Sequence, residues 1–186
     1  MKQALLFIDA QESFRQCPFW DDAELADFVR NAQGLIDAAQ ARGIAVLQVF
    51  HVNETNPQSP FALASGHVRT LAELHVTPTA TFHKTVHSAL FARAAEGSSL
   101  QSWLAQQGIE EVIVAGVRTE QCCETTARHA SDSGYKVRFA TDATLTFAMQ
   151  SPAGKPYTPA DIRDCTELVL AGRFARIVPA ARALEG

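Results

Sequence analysis

The feature that most constrains this 186-residue chain is a local grammar repeated along it: an amphipathic or polar stretch, a glycine, then a short β-branched and apolar run. AAQARGIAVLQVF places Gly43 at the junction, QQGIEEVIVAG places Gly108 and SDSGYKVRFATDA places Gly134, while VLAGRFARIV, with Gly172, is a weaker copy. A glycine there is the residue that closes a helix in the left-handed conformation, so each unit reads as helix, cap, strand. Strands are predicted at Ala4 to Ile8, Ile44 to Phe50, Thr79 to His83, Val112 to Ala115, Lys136 to Ala140 and Ala175 to Val178. Most are unbroken apolar runs rather than alternating ones, the pattern of strands covered on both faces. Strands alternating with helices in this way predict a three-layer α/β fold, a doubly wound, mostly parallel six-stranded sheet with helices on both faces. The length suits one domain over residues 1–186. The helix before Gly108 is predicted over Ser99 to Gln107, opened by a Ser98 and Gln101 capping box, with Leu100, Trp103 and Leu104 as its apolar face.

Two stretches break the grammar. Between Val52 and Pro78 the chain runs through NETNPQSPFALASGHV, and between Met149 and Pro159 through MQSPAGKPYTP. Long irregular connections of this kind often line sites, and the second also reads as a lid or an oligomer contact. A net charge of -4 without a local cluster of Lys and Arg supplies no field to hold a phosphate backbone, which argues against a nucleic-acid partner. The N-terminal apolar run is cut short by Asp9, so it reads as a buried strand rather than an export signal or a membrane span. Cys17, Cys122, Cys123 and Cys165 show no regular spacing, which suits reduced thiols in a cytoplasmic protein better than a disulfide framework.

In an open parallel sheet the binding crevice lies beyond the carboxyl ends of the strands. Three of those ends carry chemistry: Asp9 after the first strand, Lys84 after the third, and Gly116 followed by VRTEQCCETTARHA after the fourth, with Cys122 near the start of a helix. Each has an ordinary structural reading by itself: a turn residue, a solvated cation, a small buried hydrophobe. Brought to one edge, they form a nucleophilic site. A thiol at a helix N-terminus beside a cation is expected to ionise below its free value of about 8.5. Asp9 can take the thiol proton and return it to a leaving amine, and Lys84 holds both charges in place. Gly116 lets the backbone turn tightly ahead of the nucleophile, so that amide N–H groups face a developing oxyanion. Cys123 and Cys165 keep the inert reading.

At these residues the sequence resembles the isochorismatase-like hydrolases, which include nicotinamidases, N-carbamoylsarcosine amidases and isochorismatases. The resemblance runs through Asp-x-Gln-x-x-Phe (Asp9, Gln11, Phe14), a Lys with Ser-Ala downstream (Lys84, Ser88, Ala89) and Gly-Val-x-Thr-x-x-Cys-x-x-x-Thr-Ala (Gly116, Val117, Thr119, Cys122, Thr126, Ala127). Tyr135, Val137, Asp142 and Ala143 complete it. It implies the family's Rossmann-like fold, an Asp9–Lys84–Cys122 triad and C–N hydrolysis through a thioester. It also implies a cis peptide between Val117 and Arg118, an oxyanion hole from the amides of Arg118 and Cys122, and a small-molecule substrate. Gln11, Phe14, His51 and Arg118 are the expected substrate-facing residues. Relatives are commonly homo-oligomers, and apolar surface around Phe61 or Phe147 is a candidate contact.

The departures are informative. Nicotinamidase-like members end their second strand with Asp-x-His, whereas this chain has Val49, Phe50 and His51. His51 with His67 or Glu54 could form at most a weak site, because two scattered ligands do not fix a geometry, so no metal and no cofactor is expected. His83 and His87 read as ordinary local residues. Arg118 either meets an anionic substrate or pairs with Glu120. A dinucleotide-binding fold lacks its Gly-x-Gly-x-x-Gly, a phosphotransferase its second Asp (Gln11 stands there), and a thiol redox protein its Cys-x-x-Cys. Enol-ether hydrolysis of the isochorismatase type and a non-catalytic binding protein remain as alternatives; retention of Cys122 favours an amide, carbamoyl or ureido bond.

Overall fold

A computed structural model describes residues 1–185. Six strands form one parallel sheet: β1 (Gln3–Ile8), β2 (Ala45–His51), β3 (Ala80–Lys84), β4 (Glu111–Val117), β5 (Lys136–Leu145) and the short β8 (Arg176–Ile177). Their spatial order is β3-β2-β1-β4-β5-β8. The chain therefore builds outward from β1 to one side and then returns to build from β4 to the other, which places the topological switch between β1 and β4.

The unbroken apolar runs are explained by two cores. In β1, Leu5 and Phe7 join one cluster while Ala4, Leu6 and Ile8 join the other, so successive side chains are buried on opposite faces. The first core is closed by α1 (Leu25–Ala41), through Phe28, Ala32, Leu35, Ile36 and Ala39, and by the tail residues Ala180, Ala183 and Leu184. The second is closed by α2 (Leu100–Gln106), α3 (Glu124–Asp132) and α4 (Pro159–Leu170), through Leu100, Leu104, Ala127, Ala130 and Leu170. Gly43, Gly108 and Gly134 close the preceding helical turns with φ of 65°, 63° and 90°. No helix among the described residues is long and apolar enough to cross a membrane.

Several local expectations need correction. The cap of α2 is Ser99, whose side chain accepts from the Ser102 N–H, not Ser98. A capping box lies at α4, where Thr158 and Asp161 exchange bonds. The stretch after Met149 is not irregular throughout: β6 (Met149–Gln150) and β7 (Pro156–Tyr157) pair antiparallel as a small hairpin. β5 runs on past Ala140 to Leu145, because Thr144 and Leu145 pair with Gly116 and Val117 of β4 and the Thr144 hydroxyl finds interior partners in Thr119 and the Thr141 carbonyl. Gly116 is required by a close approach, not a turn. It lies inside β4 at φ 129°, and a Cβ there would stand 1.9 Å from the Ile8 carbonyl oxygen of β1.

Candidate active site

The three chemically loaded strand ends meet above the switch point. Asp9 follows β1 with φ 53°, a left-handed conformation costly for a residue with a Cβ, and its N–H is held by the Val49 carbonyl at 2.8 Å. Lys84 closes β3 opposite His51 of β2. Its ammonium donates to Asp9 Oδ2 at 2.6 Å and to Cys122 Sγ at 3.3 Å, with His51 Nδ1 at 3.4 Å. The side chains of both Lys84 and Asp9 are wholly inaccessible. The other carboxylate oxygen, Asp9 Oδ1, is buried with no hydrogen-bond partner.

Cys122 does not sit on a plain α-helical N-terminus. After β4 the Val117–Arg118 peptide is cis, and residues Thr119–Cys123 form one wide π-helical turn before α3 begins. In that turn the Cys123 N–H reaches back to the Arg118 carbonyl and the Glu124 N–H to that of Thr119. The turn is tied to the segment that carries Lys84. Thr126 Oγ1 accepts the Ala89 N–H at 2.9 Å, and Ser88 Oγ pairs with His129 Nδ1 at 2.8 Å. The Ser-Ala downstream of the lysine and the Thr-Ala downstream of the cysteine are thus two halves of one latch between β3 and α3.

The electrostatics correct one expectation. Burial first, and then the neighbouring Asp9 carboxylate, push the Cys122 thiol up to about 12, against the opposing pull of Lys84. The cation does not win at this sulfur, so the resting group is a thiol and not a thiolate. Burial works against the charged form of Lys84, but Asp9 and then Cys122 outweigh it and raise its pKa. Burial and the Lys84 charge lower that of His51, leaving a neutral imidazole at pH 7.

The remaining residues divide differently from expectation. Gln11 is wholly buried and spends its amide within the protein: Nε2 donates to the His51 carbonyl and to Ser13 Oγ, both at 3.0 Å, and Oε1 accepts the His51 N–H at 2.8 Å. It clips the ends of β1 and β2 together, with no N–H left for a substrate. Phe14 and His51 belong to an aromatic arc that the motifs alone do not announce. Phe61 meets Phe14 edge-on at 5.0 Å and His51 at 5.6 Å, while Phe19 meets Phe147 at 5.3 Å. Phe147 is buried in this arc, so it supplies no free oligomer surface. The chain between β2 and β3 carries Phe61 and is pinned to the site segment, with Leu71 N–H on the Ala10 carbonyl and Ala72 N–H on Glu12 Oε1.

Arg118 is paired with Glu120 at 2.9 Å, lies 4.7 Å from the Phe19 ring centre and donates to Met149 Sδ, so the structure shows the internal pairing of its two readings. Among the described residues no three His, Cys, Asp or Glu side chains are grouped to hold a metal ion, His51, His67 and Glu54 included. A cavity of about 710 Å³ lies beside the ends of β2 and β3, lined by Val52, Leu63, Lys84, Val86, Phe91 and Arg93.

Comparisons with known proteins bear on the family and the fold. The isochorismatase domain model matches residues 3–153. An uncharacterized isochorismatase family protein of Bacillus subtilis, YrdC, is 25% identical over 182 residues, covering 95% of this chain and 91% of its own. Nicotinamidase 3 of Arabidopsis thaliana is 58% identical over 48 residues, but that match takes in only 26% of this chain and 24% of the plant protein. Among solved structures, a protein from Chromobacterium violaceum assigned as a hydrolase of the isochorismatase family superposes with a TM-score of 0.85 at 26% identity, covering 97% of this chain and 90% of that one. A cysteine hydrolase from Pseudomonas syringae shares the fold, with a TM-score of 0.82 at 21% identity over 97% of this chain and 90% of its own. With a family model spanning most of its length and a matching fold, the chain belongs to the isochorismatase family of hydrolases.

Proposed function

We propose that the protein is a cysteine hydrolase that cleaves a C–N bond (amide, carbamoyl or ureido) of a small molecule through a thioester on Cys122. The observation that carries this reading is the division of Asp9: one oxygen is held by Lys84 at 2.6 Å while the other, buried and unpartnered, is free to accept a proton beside a sulfur that Lys84 contacts at 3.3 Å. Because the resting group is a thiol, the proton leaves as the bond forms. Sγ attacks the substrate carbonyl carbon while its proton passes to Asp9 Oδ1, and the tetrahedral oxyanion is received by the amides of Arg118 and Cys122. Asp9 then gives the proton to the departing nitrogen, the C–N bond breaks and the thioester remains. Water attacks the thioester carbon, Asp9 takes its proton and returns it to sulfur, and the acid departs. Retention of the thiol favours this chemistry over enol-ether cleavage, and the aromatic arc of edge-on rings offers the substrate an apolar wall.

The test is a panel of small primary amides, carbamoyl compounds and isochorismate, scored for ammonia and for pyruvate release. Ammonia release lost by at least about a thousandfold in Cys122→Ala supports the reading. Pyruvate release that survives the substitution would transfer the assignment to enol-ether hydrolysis, and no turnover of any compound would favour a binding protein. We place the protein in the cytoplasm, since all four cysteines are free thiols, and propose a homo-oligomer, to be measured by light scattering.

A further inference from the structure

We propose that His51 is a positioning residue of this site: its Nδ1 lone pair is the third acceptor of the Lys84 ammonium and sets the direction in which that ammonium holds Asp9 and Cys122. The inference rests on the hydrolase reading above and deepens it.

An ammonium has three N–H donors and no acceptor. Three acceptors stand within reach of Lys84 Nζ: Asp9 Oδ2 at 2.6 Å, Cys122 Sγ at 3.3 Å and His51 Nδ1 at 3.4 Å. The lysine side chain is completely inaccessible, so no solvent is at hand to take an N–H that a missing partner would leave bare. Since the ammonium can only donate, the contact with His51 is attractive only when Nδ1 carries no proton, which assigns the imidazole the Nε2–H tautomer. The groups facing this ring are consistent with that state. Burial and Lys84 favour the neutral form, as does His87, while Asp9 and the Val86 backbone oppose them less strongly.

His51 is itself held from two directions, by its backbone and by its ring. Gln11 grips both the N–H and the carbonyl of His51 with one side-chain amide, and Phe61 stands edge-on to the imidazole at 81°. Such support suits a group whose task is orientation rather than proton transfer. With one N–H taken by His51 and one by sulfur, the third is directed at Oδ2, and Oδ1 remains available to the thiol. On protonation the imidazole loses its lone pair and becomes a second cation 3.4 Å from the first. The arrangement then fails.

Asn and Leu separate the acceptor from the mere bulk of the ring, because the Asn carbonyl oxygen stands where Nδ1 was and does not titrate. The experiment compares wild type, His51→Asn and His51→Leu, each checked for folding by circular dichroism, in two readouts: turnover of the amide panel and the rate of Cys122 alkylation by iodoacetamide, followed by peptide mass spectrometry. Both rates in His51→Asn are expected within about threefold of wild type, and both in His51→Leu at least about tenfold lower, with the turnover loss in kcat and not KM. As pH falls below 6.5, wild type should lose rate before His51→Asn does. Equal rates in the two variants, an unchanged acid limb in His51→Asn, or a loss confined to KM would overturn the proposal. Should wild type turn over none of the amides, the hydrolase reading falls, while the alkylation series still decides the role of His51.

Discussion

Cys122 and Asp9 show how two side chains of ordinary type acquire chemistry from their surroundings. The expectation of a preformed thiolate rested on a helix start and a cation; the cation is present, but Cys122 lies within a π-helical turn, and burial and a carboxylate neighbour outweigh the lysine. The consequence is measurable: thiolate absorbance near 240 nm should not appear from Cys122 at neutral pH. The exposed Cys165 should be alkylated before the buried Cys122 in the absence of substrate. Early labelling of Cys122 would mean that the carboxylate already holds the thiol proton at rest. Residue types and spacing made the three positions legible, since a carboxylate, an amine and a thiol following the carboxyl ends of strands in one parallel sheet fall along the same edge. The left-handed backbone at Asp9 and the use of Gln11 as a clip were not legible, because each depends on neighbours distant in sequence, whereas the pairing of Arg118 with Glu120, two residues away, was one of the two readings its position offered.

Glycine-capped helices and apolar strands carried most of the architecture in their local pattern, and all six sheet strands begin within one residue of where that pattern places them. The pattern stopped short at β5, whose second half is rich in threonine and reads as loop until its interior partners are known. Serine at consecutive positions hid the cap of α2, since Ser98 and Ser99 are chemically equivalent and only the backbone distinguishes them. Between β1 and β4 the decisive element contact is the close passage at Gly116. Gly116→Ala would force a methyl into the Ile8 carbonyl in a backbone conformation alanine avoids, and the expected cost exceeds about 4 kcal/mol, the scale of the most damaging single substitutions. Soluble yield and urea denaturation read this directly; a loss under about 1 kcal/mol would show that β1 and β4 separate easily.

For the molecule as a whole, the far end of the sheet is closed by a buried ion pair, Arg138 with Glu111 at 2.9 Å, whose arginine also donates to the carbonyls of Ala183 and Glu185 in the tail. Burial alone would raise Glu111, but hydrogen bonds from Arg138 and Gln3 and the arginine charge take it below its usual 4.5. A carboxylate more acidic when folded than unfolded adds stability above that usual value and loses it as pH falls through the folded one. Stability measured by urea unfolding should therefore decline in acid in the wild type and decline less in Glu111→Gln, which starts lower at pH 7; parallel curves would remove the pair from the acid response. The sheet order has one more consequence. Asp9 leaves β1 and Lys84 leaves β3, the outermost strand, so the amine reaches its carboxylate across the whole width of β2. Neighbouring strands lie about 4.8 Å apart, so the contact spans two such steps and holds only while both strand ends keep their places. The contact therefore reports on that half of the sheet: a loosening of its rim too slight to register in ellipticity moves the amine from its carboxylate first. On slow heating, turnover should fade several degrees before the helices melt.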